Sequence, residues 1–194
     1  KIKTFKKLYQ NSPDWLAPFD VERGKTHLQS GNPKKARKTF IDVIEKYPGT
    51  EAMAEARFYL SHALFKEGRA EEYLLALTKF IKNHPDNINW VKAQLELAEL
   101  YFKNENYPNA SRTFQRLLTK DLSLEERSKI LKKLIKIHRN LKFFDTAIGF
   151  ARKLVRNFPH HRFSTEARIQ IGELLYAKGD YPQAIQELVP LRRL

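Results

Sequence analysis

The chain has 194 residues, 42% hydrophobic and 30% charged, and a formal net charge of +14 at pH 7. It contains no cysteine, which excludes disulfides, thiol nucleophiles and thiolate-bound metals and leaves the redox compartment open. No window approaches the roughly 18 consecutive apolar residues of a membrane-spanning helix.

Residues 1–17 follow no period. Ile2, Phe5, Leu8 and Tyr9 share one helical face, and Asn11-Ser12-Pro13-Asp14 reads as a turn before Trp15. This is the pattern of a capping helix or the remnant of a preceding repeat. From residue 18 to 194 a step of 37 residues takes over. Gly31, Gly68 and Gly179 keep it. So do Ala36, Ala110, Ala147 and Ala184, with Tyr73 in the slot between, and Pro48, Pro85 and Pro159, with Leu122 in the odd slot. Self-similarity at a period of about 20–50 residues marks stacked repeats that bury their apolar faces against one another.

Each period holds two amphipathic helical segments. In the third, Ala93, Leu97, Leu100 and Tyr101 line one helix face, Asn104-Glu105-Asn106 turns, and Tyr107, Ala110, Phe114 and Leu117 line the next. The fifth repeats this with Ala167, Ile171, Leu174 and Leu175, then Tyr181, Ala184, Leu188 and Leu191. Asn32 before Pro33, Asn106 and Asp180 stand at N-cap positions, and Ser123 with Glu126 reads as a capping box. In the fourth repeat Lys142 and Phe143 replace the glycine turn, so a less regular loop is expected there. The alanine slot lets two helices cross closely, and Tyr73 predicts a wider or shifted crossing in the second repeat. The fold expected is all-α: five antiparallel helix pairs in a right-handed superhelical solenoid, the last repeat truncated. Pro190 disfavours helix continuation. Ile185, Leu188 and Leu191 are expected partly bare, so the natural chain, which here starts without Met, is expected to continue or to have this end covered.

These repeats resemble the tetratricopeptide repeat (TPR). Gly24, Gly31, Ala36, Phe40 and Pro48 carry the motif in the first copy, and Gly172, Gly179, Tyr181, Ala184 and Leu188 in the last. The longer period, with phrases such as Lys46-Tyr47-Pro48-Gly49-Thr50, is similar to TPRs of bacterial cell-envelope proteins, the outer-membrane assembly lipoprotein and the Tol–Pal-associated coordinator among them. The resemblance implies a non-enzymatic protein–protein interaction scaffold, periplasmic or at the cell envelope in preference to cytoplasmic, and part of a larger chain or complex. It also implies a groove lined by the first helix of each repeat. Carried onto this chain, the partner-binding residues are Phe58, Tyr59, His62 and Phe65; Leu95 and Phe102; Lys129, Lys132, Lys133, Lys136 and Arg139; and Tyr176.

The charge is unevenly placed. Residues 1–48 carry a net +6 and residues 122–158 a net +7, while 49–85 and 86–121 each balance to zero. An acidic protein or peptide segment is the partner this predicts. The alternative is a basic helical-repeat module binding nucleic acid or an anionic surface. Against nucleic acid stand the neutral middle repeats, which break a phosphate track, and the aromatic residues at core-periodic positions. Of six histidines, His138 shares a face with Leu131, Leu134 and Ile135 and reads as a packing or hydrogen-bonded residue; His160-His161 lack further metal ligands. No phosphate loop, acid/base dyad or nucleophile constellation appears. The reading is no enzyme, no cofactor, no metal and no small-molecule substrate.

Overall fold

The computed structural model describes residues 13–159 and 162–193, so the apolar face expected over Ile2 to Tyr9 and the pair His160-His161 lie outside the described residues. The described residues form ten α-helices, paired into five antiparallel hairpins of an all-α solenoid. In chain order these are α1 (Pro13–Gln29), α2 (Pro33–Lys46), α3 (Glu51–Lys66), α4 (Ala70–Asn83), α5 (Trp90–Lys103), α6 (Tyr107–Leu117), α7 (Leu124–Asn140), α8 (Phe144–Asn157), α9 (Arg162–Lys178) and α10 (Tyr181–Leu188). A short 3₁₀ segment containing Pro190, Val189–Arg193, closes the array. Pro13 and Asp14, expected in a turn, are the first residues of α1, where proline's fixed φ suits a helix start.

Five residues with positive φ make the hairpin turns: Gly31 (71°), Gly68 (78°), Glu105 (57°), Lys142 (59°) and Gly179 (91°). They sit at equal steps of 37. Around each, the next N–H returns to a carbonyl five residues back. Examples are Asn32 to His27 (2.9 Å), Phe143 to His138 (2.8 Å) and Asp180 to Leu175 (2.9 Å). This bond satisfies a carbonyl orphaned at the helix end. The fourth loop therefore has the regular geometry, contrary to expectation, because backbone bonding drives even a lysine into the left-handed region. The caps divide. Ser123 and Glu126 form the full capping box, and Asp180 accepts from the Gln183 N–H. Asn32 and Asn106 make no side-chain cap bond, and the Asn32 amide turns instead to the Ser30 carbonyl (3.0 Å).

The described residues group into two compact units that divide within α5, between Leu97 and Ala98. In the first, the core gathers Leu16, Ala17, Val21, Ala36, Phe40, Val43 and Tyr47. The Tyr47 hydroxyl donates to the buried Asp20 carboxylate (3.0 Å), which ties the inter-repeat connection back onto α1. In the second, Ala110, Phe114, Leu117, Leu134, Ile137, Ala147, Leu154 and Ala167 are buried. The alanine slots are closed to solvent, as a near helix crossing requires.

Candidate functional site

In the first unit, residues of α1, α3, α4 and α5 line an open cavity of about 650 Å³, among them Lys25, Tyr59, His62, Phe65, Tyr73 and Glu96. Glu96 is its polar centre: it lies 2.8 Å from His62 Nε2 and accepts from the Tyr73 hydroxyl at 3.3 Å. Burial and the adjacent Glu96 charge hold the Tyr73 phenol well above its usual range. Lys25 sits 2.7 Å from Glu22, 2.5 Å from Glu55 and 4.7 Å above the Tyr59 ring. Burial acts to lower the Lys25 pKa, but those two carboxylates outweigh it and keep the ammonium charged. Phe65 is exposed and packs on Tyr73 with ring centroids 5.2 Å apart.

Phe58 is not part of this cavity. It is 0% exposed, packs on Phe80 (5.4 Å) and His62 (4.5 Å), and has Lys92 above its ring. One residue on from Phe58 is a rotation of about 100°, which brings Tyr59 to the cavity and turns Phe58 into the α3/α4 hairpin. Leu95 is partly buried on α5.

In the second unit, α7 and α9 flank a cavity of about 410 Å³ lined by Lys132, Lys133, Lys136 and Arg139 on one side and Gln170 and Glu173 on the other. The five cations read along α7 are not equivalent. Lys129 pairs with Glu125 of its own helix (2.7 Å). Lys132 pairs with Glu166 of α9 and lies 4.1 Å from the Phe163 ring. Lys133 pairs with Glu99 of α5 at 2.6 Å. Lys136 and Arg139 are exposed and have no carboxylate within ion-pair distance among the described residues; Lys136 and Lys133 both sit over the partly buried Phe102 ring, at 5.4 and 4.6 Å. Tyr176 is exposed and meets Tyr181 of its own hairpin at 5.2 Å.

Glu99 and Glu166 as counter-charges were missed in the sequence. Their signal is an offset of 34: Glu99 to Lys133, Lys132 to Glu166 and, in the first unit, His62 to Glu96. Adjacent first helices therefore meet one helical turn short of the period.

His138 is buried against Phe150 (5.3 Å), with Nε2 3.0 Å from Ser111 Oγ; burial lowers its pKa. Among the described residues no cluster of three or more His, Cys, Asp or Glu could hold a metal, and no helix is long and apolar enough to cross a membrane.

Paired helices, left-handed turns and small-residue crossings at one period define a TPR-like helical-repeat scaffold. Solved structures share the fold. The chain is similar to TPR-like repeats of a putative kinesin light chain from "Podosopora anserina" (16% identity, TM-score 0.61, covering 94% of this chain and 96% of that one). It is also similar to MamA from Desulfovibrio magneticus RS-1 (14%, TM-score 0.60, covering 92% and 94%). A further MamA structure gives a TM-score of 0.63 at 18% identity, covering 90% and 89%. No curated protein matches the chain. Residues 21–177 match YfiO, described as an outer membrane lipoprotein, and the chain belongs to that family.

Proposed function

We propose that this scaffold holds an acidic protein segment on the first-helix face of its second unit, within a complex of the bacterial envelope, periplasmic and associated with the outer membrane. The observation that carries this reading is the pair Lys136 and Arg139, exposed on α7 with no carboxylate at ion-pair distance among the described residues, next to Lys129, Lys132 and Lys133 on the same side of the helix. Two uncompensated cations on a helix already rich in charge attract a carboxylate partner and steer its approach, an effect that salt screens over about 8–10 Å. The membership in an outer membrane lipoprotein family supports the envelope location. The coordinating role seen in the Tol–Pal resemblance belongs to this same proposal, as does the array of five repeats over residues 18–194. Tyr59, His62, Phe65 and Leu95 of the first unit, and Phe102 and Tyr176 of the second, are proposed as additional apolar and aromatic contacts.

Crosslinking with mass spectrometry in the native cells identifies the partner. The double variant K136E/R139E is then expected to lose capture of that partner while keeping its helicity. Full capture by the folded double variant at low salt moves the binding site elsewhere.

A further inference from the structure

The register between α7 and α9 places three positions opposite three others at an offset of 34: Lys132 with Glu166, Lys136 with Gln170 and Arg139 with Glu173. The first rung is closed by an ion pair. The third carries an equally complementary pair, yet Arg139 and Glu173 form no ion pair among the described residues, and both are exposed. What separates them is the cavity of about 410 Å³ that both line, with the unpaired Lys136 beside Arg139. Cation and carboxylate thus line one cavity from two neighbouring helices without pairing among the described residues, whereas the first rung of the same two helices is closed.

We propose that this open rung is a reading site for an extended peptide strand that presents a carboxylate and a cation two residues apart. Resting on the reading of an acidic partner, it adds an orientation and a second charge. Residues i and i+2 of a strand point to the same side, about 6.5–7 Å apart. The peptide carboxylate lies against Arg139 and Lys136 on α7, and the peptide cation lies against Glu173 on α9. Lys132 and Lys133, already paired with Glu166 and Glu99, tie neighbouring helices together and take no part in the reading. Glu173 makes the site selective, since it repels the second carboxylate of a uniformly acidic strand.

The test uses the full chain and fluorescence anisotropy at low salt, with labelled eight-residue peptides that differ only at a central Glu-x-Lys, Glu-x-Glu or Ser-x-Ser. Wild type is expected to bind Glu-x-Lys at least tenfold tighter than Glu-x-Glu, and both tighter than Ser-x-Ser. E173Q should erase the difference between the two charged peptides without moving the melting temperature, and R139Q should weaken both. Glu-x-Glu binding as tightly as Glu-x-Lys to wild type overturns the open-rung assignment while the acidic-partner reading stands. Ser-x-Ser binding as well as the charged peptides, or no binding by any of them, overturns both.

Discussion

Lys142 holds its backbone at φ 59° and Glu105 at 57°, in a region that costs a residue with a Cβ about 1–2 kcal/mol. Glycine removes that strain but loses more entropy on folding, so Lys142→Gly and Glu105→Gly should each raise stability by a net ~0.5–1 kcal/mol. Urea denaturation reads this directly, and a lowered midpoint would contradict the strain argument. Buried His138 and half-buried His84 both make stability fall in acid. Burial lowers the pKa of His138, and burial together with Arg57 lowers that of His84, from the usual 6.5. As pH falls through 6.5 the unfolded chain takes up these protons before the folded one does, so stability drops. The stability is full above about pH 6.5 and is lost progressively as pH falls through the lower folded values. His138→Gln should flatten part of that decline between pH 7.5 and 5; a profile parallel to wild type would exclude His138 as a source. The sequence marked His138 as a packing or hydrogen-bonded residue correctly, because Leu131, Leu134 and Ile135 precede it at helical spacing. It marked the Lys142 loop incorrectly, because residue type says only what a backbone prefers.

Between paired helices, small and large residues alternate across the crossing. A Cβ added to Gly24 would lie 2.3 Å from the Phe40 ring, and one added to Gly172 would lie 2.4 Å from Leu188. The same slots hold Ser61 with Leu77, Ala98 with Phe114 and, with the sizes exchanged, Ile135 with Ala151. All ten positions except Leu188 are buried. Gly24→Ala should therefore cost ~1–3 kcal/mol by overpacking. Phe40→Leu alone also destabilises, but the double variant should lose less than the sum of the two, because the leucine vacates the space the new methyl group enters. A strictly additive cycle by thermal denaturation would show that α1 relaxes by some other route. Helix existence, pairing and the alanine-slot crossings were legible from the 37-residue step, whereas the pairing of Gly24 with Phe40 and of Gly172 with Leu188 was not. Which side of α3 Phe58 occupies was not, since a stripe carried over from a motif can err by one position, or about 100°.

At the scale of the array, the same repeat position has different energetics according to whether a neighbouring hairpin packs on it. Ile148 on α8 is 5% exposed, and its counterpart Ile185 on α10 is 61% exposed. Replacement of Ile148 by alanine should cost about 2–5 kcal/mol, and of Ile185 less than about 1 kcal/mol. Native-state hydrogen exchange should likewise find α10 opening before α8. Equal protection of the two helices would mean that the exposed face of α10 is covered in solution. The cross-helix pairs at an offset of 34 escaped the sequence reading for a physical reason. A helix-surface argument sees partners three or four residues away, and the partner of Lys133 is decided by how neighbouring repeats are rotated.

One backbone conformation recurs at five hairpin turns whatever the side chain there, and this makes each turn an interchangeable joint. The connections between hairpins lack this uniformity. Residues 47–50 link α2 to α3, whereas residues 84–89 link α4 to α5. A cassette cut and rejoined at these left-handed positions, a second helix with the first helix that follows it, should thus graft between repeats of this chain with its helix phase intact. Length changes are better tolerated in the connections that come after the second helices.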